Sequence, residues 1–345
     1  MAGFATLPPA ERRIVIDELA GRLGVAPVII EKDFWVCWAL GRIFSTPQVA
    51  PHVVFKGGTS LSKAYGVIQR FSEDIDLAVS PTALGFTESE LNDAPSASAR
   101  RKRVQALAAR AEQCVVQQFQ PALEQTFAAA LGEPQATGAW LGYEIDVAAG
   151  TPNLLFAYPS ALPQPGGYIA KQVKLEFGAL ANQYPTERHR ITALLASAPD
   201  SPLAKAFDDL SAEVVALALA RTFWEKATIL HAEYHRPVAS PIRDRFARHY
   251  ADFAALWRHS GRDEALARLD LLEEVVLHKT RFFSSAWASY ATAVPGTFRL
   301  VPPDERHAAL AQDYAKMLPM FLQTPPSFTD VMLTLAQAEA RLNAR

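Results

Sequence analysis

The chain has 345 residues, of which 50% are hydrophobic and 20% are charged. This length suggests two domains of ~100–200 residues, or one large domain with an extension. The composition excludes a disordered or collagen-like chain. With 34 basic and 36 acidic residues the formal net charge is −2, so the overall charge does not indicate a nucleic-acid binder, although it is compatible with a local basic patch.

Neither the cysteines nor the apolar runs indicate an exported or membrane protein. Cys37 and Cys114 cannot form a disulfide framework, and each lies in an apolar helical context. The N-terminus, MAGFATLPPAERR, has no signal-peptide core, and the apolar run 214–220 is far shorter than the ~20 residues of a membrane helix. We therefore expect a soluble protein in the reducing cytoplasm, without a membrane partner.

The N-terminal part of the chain predicts alternating helices and strands. The predicted elements are, in order, helices at residues 6–24 and 27–44, a strand at 52–56, a helix at 60–65 and a strand at 75–79. Prolines suit the first turn of the first helix, whose rough apolar stripe comprises Ile14, Ile16, Leu19 and Leu23. Gly57 and Gly58 predict a tight turn after the first strand.

The rest of the chain predicts further strands and then a helical half. The predicted elements are a loop at 81–99, a helix at 100–131, strands at 139–148, 154–158 and 168–177, and a helical pattern from about residue 200 that prolines interrupt. This order predicts an α+β fold with a C-terminal helical domain. We place the domains at residues 1–195 and 196–345.

The stretch from residue 53 to 79 carries the clearest functional pattern. A strand runs into Gly57-Gly58, after which Thr59 and Ser60 open a helix. Glycines let the backbone approach a ligand closely, and the free N–H groups at a helix start favour an anion. The sequence Gly-x4-Gly-Lys-Ser/Thr does not occur, so this is not a Walker A loop.

Two aspartates follow on the next predicted strand. Asp74 and Asp76 are two residues apart, so they share one face of a strand at a separation of roughly 6–7 Å. Two carboxylates so placed repel each other unless a cation lies between them. Hard oxygen ligands of this kind suit Mg²⁺ that bridges phosphate oxygens.

The segments FKGGTSLSK and RFSEDIDLAV resemble the nucleotidyltransferase superfamily of the DNA polymerase β type. More narrowly, the chain resembles the AbiEii-type nucleotidyltransferase toxins, which include MenT-like enzymes. Further resembling segments are IIEKDFWVCWAL, FWEKATILH and RHYADFAAL, so the resemblance spans residues 29–256. It implies a small mixed β-sheet of the nucleotidyltransferase type with flanking helices, followed by a C-terminal helical domain.

The resemblance also implies a set of site residues. Asp74 and Asp76 would be catalytic and hold Mg²⁺ or Mn²⁺, and the nucleotide would be bound by Gly57, Gly58, Thr59, Ser60, Lys63 and Ser72. Lys226 and Asp252 match the lysine and the acidic residue of two further family motifs. Lys226 would neutralise triphosphate charge as a point donor, and Asp252 would orient that lysine or the ribose.

A third metal-binding carboxylate usually lies on a neighbouring strand in such enzymes. The candidates are Glu176 in KQVKLEF and Asp146 in YEIDVAA. We favour Glu176, because it ends a regularly alternating strand. Asp146 remains the alternative.

The implied function is that of a toxin with a cognate antitoxin. It would transfer nucleotides from an NTP to RNA, at the 3′ end of tRNA, and so block translation. Two alternatives stay open: an AMP-transferase that acts on protein hydroxyls with the same site, and a non-catalytic module that binds nucleic acid or an antitoxin. The basic run at residues 100–103 opposes the dipole at a predicted helix start, which suggests a use such as binding an RNA backbone.

Overall fold

The computed structural model describes residues 3–87, 90, 96–134, 138–146, 150–163, 170–180, 182–198, 201–283 and 285–344. The chain forms two compact units. The sheet unit comprises Met1–Ala64 and Phe71–Ala216, and the helical unit comprises Tyr65–Arg70 and Leu217–Arg345. The domain boundary expected between residues 195 and 196 stays a prediction.

The sheet unit contains, within the described residues, a seven-stranded mixed sheet. Its strands are β1 (Val53–Lys56), β2 (Ile75–Val79), β3 (Leu141–Asp146), β4 (Thr151–Phe156), β5 (Val173–Gly178), β6 (Thr186–Thr192) and β7 (Ser211–Leu217). Their order across the sheet is β3-β4-β5-β2-β1-β7-β6. The mixed sheet and the helices around it confirm the expected α+β class. The expected strand ends at residues 147–148 and 168–169 lie outside the described residues.

Strand β2 lies at the centre of the sheet, between β1 and β5. It pairs antiparallel with β1 and parallel with β5, while β1 pairs parallel with β7. The side chains of Ile75 and Leu77 are fully buried on one face of β2. Because successive side chains of a strand alternate between faces, Asp76 lies on the opposite face.

The sequence prediction was wrong for β6 and β7. No strand was predicted at 186–192, where the polar sequence TERHRIT has only Ile191 fully buried. The helical pattern expected from residue 200 fails at β7, because a short apolar run fits a buried strand as well as a buried helix. Its pairing with β1 in the sheet decides between the two.

The helices of the sheet unit are α1 (Pro9–Leu23), α2 (Pro27–Ser45), α3 (Gly57–Lys63), α4 (Ala97–Cys114), α5 (Gln120–Leu131) and α6 (Pro202–Ala206). Helix α2 is buried on nearly all sides, including the expected face of Ile30, Phe34, Cys37 and Trp38. The stripe expected on α1 is wrong in part, because Ile14 and Leu23 are exposed.

The long predicted helix after residue 100 starts earlier and is continuous with a π-helical segment. Helix α4 begins at Ala97, since the Ser96 side chain accepts a hydrogen bond from the Ala99 N–H and caps the helix. The basic run 100–103 therefore begins at the fourth helical position, and the predicted loop ends before residue 97. A π-helical turn, Val115–Phe119, joins α4 to α5.

The helical unit contains α7 (Leu219–Tyr234), α8 (Ala247–Arg258), α9 (Arg262–Ala267), α10 (Leu269–Phe282), α11 (Asp304–Met317) and α12 (Phe328–Asn343). Its core includes the aromatic side chains of Phe223, Trp224, Phe253 and Phe298. Across the described part of the chain, no helix combines the length and apolarity needed to span a membrane.

Candidate functional site

A row of polar residues crosses four adjacent strands of the sheet. Asp76 on β2 is paired with Lys56 on β1 and with Glu176 on β5. Glu176 is in turn paired with Asn153 on β4. Because directly paired residues project from the same face of a sheet, these four side chains share one face.

Asp74 joins this row from just before β2. It lies two residues from Asp76, and its charge acts on both Asp76 and Glu176. We refer to Asp74, Asp76 and Glu176 as the carboxylate cluster. The strand register places Glu176, the favoured candidate for the third carboxylate, directly beside Asp76.

The carboxylate cluster is electrostatically strained. Burial raises the pKa of Asp74 above its ordinary value, and the charges of Glu73 and Asp76 raise it further. Burial and the charge of Asp76 likewise raise the pKa of Glu176. Like charges and desolvation both disfavour ionised carboxylates, so a cation among them would be stabilising.

Lys174 supplies one such cation. Its Nζ forms an ion pair with Oε1 of Glu176, two residues along β5. Burial lowers the pKa of Lys174, but the hydrogen bond and charge of Glu176, with the charges of Asp74 and Asp146, raise it above its ordinary value. The alternation of β5 already places Lys174 and Glu176 on one face, and that signal in the sequence could have identified this lysine.

Gly57 lies against Asp76 at the start of α3. A Cβ atom on Gly57 would be 1.9 Å from Oδ2 of Asp76, and the φ angle of Gly57 is +80°. Both features require glycine. The separate tight turn predicted at Gly57-Gly58 is wrong, because these residues already form the first turn of α3 directly after β1.

The hydroxyls of the Gly-Gly-Thr-Ser sequence hold the local backbone. Thr59 Oγ1 donates to the carbonyl oxygen of Asp74, and Ser60 Oγ donates 2.9 Å to that of Gly57. Both side chains are buried. A hydrogen bond from Thr59 therefore connects the start of α3 to Asp74. Nucleotide binding by Gly57, Gly58, Thr59 and Ser60 stays a prediction.

Lys63 and Ser72 occupy different surroundings. Lys63 is only partly buried, and its Nζ forms an ion pair with Oδ1 of Asp33 in α2. The other carboxylate oxygen of Asp33 accepts a 2.6 Å hydrogen bond from the Leu194 N–H. Ser72 is half-buried in the segment that precedes β2. Nucleotide binding by Lys63 and Ser72 also stays a prediction, but Lys63 already has a structural partner.

The two candidates for the third carboxylate lie on strands at different distances from β2 in the sheet. Glu176 is paired with Asp76 on the central strand. Asp146 ends β3 and is paired with Thr151 of β4, so β4 and β5 lie between it and β2. The strand order thus supports the preference for Glu176.

The chemistry of the carboxylate cluster fits a hard divalent cation, although its geometry is not that of a complete metal site. Among the residues that the structure describes, no three or more His, Cys, Asp or Glu side chains form a group that could hold a metal ion. The three carboxylates nevertheless offer only oxygen ligands, which Mg²⁺ and Mn²⁺ accept, and the raised pKa values of Asp74 and Glu176 favour a neutralising cation.

The helical unit contains a second group, which we call the buried ion cluster: Arg70, Lys226, His249 and Asp252. Asp252 is fully buried and Lys226 is 7% exposed. Lys226 Nζ donates 2.8 Å to Oδ2 of Asp252, and Arg70 binds both oxygens of the same carboxylate at 3.0 Å. Lys226 Nζ also lies 3.2 Å from Nδ1 of His249. The structure thus brings Lys226 and Asp252 together, while their roles toward a nucleotide stay a prediction.

The buried ion cluster has more cations than anions. Arg70 and Lys226 together hold the pKa of Asp252 well below its ordinary value despite burial. Burial lowers the pKa of Lys226, and the charges of Arg70 and Arg248 lower it further against the attraction of Asp252. Burial and the charge of Lys226 also lower the pKa of His249, which keeps its imidazole neutral at pH 7.

Arg70 was not among the predicted site residues. It lies in the segment RFSEDIDLAV, four residues before Asp74, and is 4% exposed. It also pairs with Phe321 in a β-bridge, and it lines a cavity of about 330 Å³ in the helical unit together with Asp252, Arg258 and His259. Nothing in its local sequence shows that a residue 182 positions later is its partner.

The comparisons with known proteins give a family and a similar fold. No curated protein sequence matches the chain. A solved structure, MenT4, a nucleotidyltransferase toxin from Mycobacterium tuberculosis H37Rv, is similar with a TM-score of 0.53 and 16% sequence identity, over 98% of this chain and 90% of that one. At this identity the similarity shows the fold.

The family comparison covers both groups of residues described above. The model of the nucleotidyl transferase AbiEii toxin family, a type IV toxin–antitoxin family, matches residues 38–337. This range includes the carboxylate cluster, Gly57 and the buried ion cluster. The resemblance first suggested by the motifs is confirmed: the chain belongs to the AbiEii nucleotidyl transferase toxin family.

Proposed function

We propose that the chain is a divalent-metal-dependent toxin that transfers nucleotides from an NTP to the 3′ end of an RNA, with tRNA as the acceptor, and thereby blocks translation. The observation that carries this proposal is the carboxylate cluster, where Asp76 is paired with Glu176 and faces the same side as Asp74. Membership of a toxin–antitoxin family adds a cognate antitoxin as the protein partner.

Asp74, Asp76 and Glu176 would hold Mg²⁺ or Mn²⁺, which would supply charge neutralisation for the triphosphate and activate the attacking hydroxyl. The protein's part is to keep these carboxylates on one face of a central strand. Gly57 contributes by letting the backbone at the start of α3 lie against Asp76. Thr59 contributes by tying the same helix start to the Asp74 carbonyl.

Lys226 would neutralise charge on the triphosphate, and Asp252 would act as a positioning residue. Asp252 is fully buried, and its carboxylate is bonded to Lys226 and Arg70. It therefore fixes the lysine rather than touching a substrate. The excess of cations in the buried ion cluster supports a role in attracting an anion.

The test is transfer of label from α-³²P-labelled NTPs, each supplied separately with Mg²⁺ or Mn²⁺. The acceptors are deacylated tRNA, total RNA and a protein lysate. We expect label in tRNA, and none in tRNA whose 3′-terminal diol was oxidised with periodate. Asp76→Asn, which removes the negative charge of one proposed metal-binding carboxylate, is the control and should transfer no label. Label in protein would instead identify an AMP-transferase, and label in no acceptor would indicate a binding module.

A further inference from the structure

Lys174 is a cation fixed within the carboxylate cluster. Its Nζ is ion-paired with Oε1 of Glu176, and it lies two residues before Glu176 on the same face of β5. The parallel register pairs Ile75 with Leu175, so one step earlier Lys174 lies beside Asp74. The electrostatic coupling of Lys174 to Asp74 agrees with this placement.

The ion pair with Lys174 occupies the Glu176 carboxylate, which a metal ion at the carboxylate cluster would also need. Glu176 is the carboxylate paired with Asp76, and an oxygen of it is already an acceptor for the ammonium. The described residues also lack a ready group of three metal-binding side chains. A divalent ion that binds Glu176 must compete with the ammonium, because two cations repel each other at contact distance.

We propose that Lys174 is a tethered counter-cation of the carboxylate cluster, which a divalent metal ion displaces from Glu176 and which then binds the triphosphate of the nucleotide. This inference rests on the proposed function, since it takes the cluster to be the metal site. A lysine suits the role: its ammonium is a compact charge on a flexible four-carbon chain, so it can change partners without movement of β5.

The first experiment measures Mn²⁺ binding alone, by calorimetry or by electron paramagnetic resonance of free Mn²⁺. Lys174→Met removes the competing ammonium and keeps the chain length, so it should bind Mn²⁺ about tenfold more tightly than the parent, as expected for loss of one competing charge-assisted hydrogen bond. Lys174→Arg keeps a competing cation and should stay near the parent.

Lys56→Met is the matched control. Lys56 lies on β1, directly opposite Asp76 of β2 and on the same face of the sheet. Its replacement removes the same positive charge as Lys174→Met, but from the strand on the other side of β2. A gain in Mn²⁺ affinity that is smaller than that of Lys174→Met supports displacement. Equal gains in the two variants would overturn it, because they would reflect net charge alone. No gain in Lys174→Met would overturn it as well.

The second experiment adds a non-hydrolysable NTP analogue at saturating Mn²⁺. Lys174→Met should bind the analogue several-fold more weakly, although it binds the metal more tightly. Unchanged affinity for the analogue would overturn the proposal that the displaced Lys174 binds the triphosphate. Opposite changes in the two affinities are not expected from a lysine that only supports the fold.

A third measurement uses the parent protein, in case Lys174→Met fails to fold. Acetylation of Lys174 by a small acylating reagent, followed by mass spectrometry, should increase when Mn²⁺ is added, because the amine loses its carboxylate partner. The exposed Lys102 is the internal reference. No increase at Lys174 relative to Lys102 would overturn displacement.

The outcome for the proposed function is read separately, from Asp74→Asn and Asp76→Asn. If these variants bind Mn²⁺ as the parent does, the carboxylate cluster is not the metal site and the proposed function fails with the inference. If they lose Mn²⁺ binding while Lys174→Met behaves as the parent, only the role of Lys174 fails.

Discussion

The carboxylate of Asp76 lies where a Cβ atom on Gly57 would have to be, with Oδ2 only 1.9 Å from that position. Lys56, the residue before Gly57, is paired with Asp76 across β1 and β2, so the helix start and the carboxylate are held together by the sheet. The first glycine of the motif thus has a demonstrable role independent of any phosphate: it leaves room for the central carboxylate.

Substitution of Gly57 by alanine should cost more than its backbone conformation alone explains. Gly85 provides a matched control, because its φ angle is also +80° but no atom lies within 4 Å of its Cβ position. Gly85→Ala should lose about 1–2 kcal/mol of unfolding free energy from the left-handed conformation. Gly57→Ala should lose more and should also lose nucleotidyl transfer.

Denaturant unfolding and turnover of both variants test this prediction. Equal losses of unfolding free energy, with turnover retained in Gly57→Ala, would show that the Asp76 carboxylate can move aside without consequence.

Local patterns predicted the position of the two aspartates better than they predicted the order of the strands in the sheet. Strand β2 and the placement of Asp74 and Asp76 follow from alternation within a few residues. The order β5-β2-β1-β7 does not, because it joins segments that are far apart in the sequence. For the same reason Arg70 was missed: its interaction with Asp252 spans 182 positions and leaves no local signature.

The buried ion cluster should respond unequally to removal of its members. Asp252→Asn leaves Arg70 and Lys226 without their shared carboxylate and should lose about 3–5 kcal/mol of unfolding free energy. Lys226→Met removes an ammonium whose pKa burial lowers, while Asp252 keeps the two hydrogen bonds from Arg70. We expect it to lose nucleotidyl transfer with little change in stability.

Denaturant unfolding at pH 7 checks this asymmetry. Asp17→Asn, which removes an exposed ion pair with Arg13 on α1, is the control and should change the unfolding free energy by about 0.5 kcal/mol or less. A Lys226→Met variant that is destabilised as much as Asp252→Asn would show that Arg70 alone does not compensate the charge of Asp252.

The carboxylate cluster should make the metal-free protein less stable as the pH rises. The pKa of Asp74 is raised from its ordinary value of 3.8 in the folded state. Its contribution to stability is therefore fully present below the unfolded-state pKa and is lost as the pH rises through the folded-state pKa. Asp74→Asn lacks this titration, so its unfolding free energy relative to the parent should rise as the pH increases above the ordinary value of 3.8.

Unfolding in the presence of EDTA at several pH values measures this difference. Glu176→Gln should change in the same direction, because the pKa of Glu176 is also raised by burial and by Asp76. A difference between Asp74→Asn and the parent that falls with increasing pH would show that Asp74 is stabilised by its surroundings rather than strained by them.

The third carboxylate can be assigned by comparing Glu176→Gln with Asp146→Asn. Glu176 is paired with Asp76, whereas Asp146 ends β3, with β4 and β5 between it and β2. Each change removes one negative charge and keeps the side-chain shape.

If Glu176 binds the metal ion, Glu176→Gln should weaken Mn²⁺ binding and lower nucleotidyl transfer by about 10²-fold or more. This is the scale expected for loss of one group that stabilises transition-state charge. Asp146→Asn should remain within a few-fold of the parent in both measurements, because two strands separate Asp146 from Asp76 and its charge acts on Lys174, not on a predicted metal ligand. The reverse result would move the third ligand to β3 and would mean that the strand register does not govern which carboxylates share the metal ion.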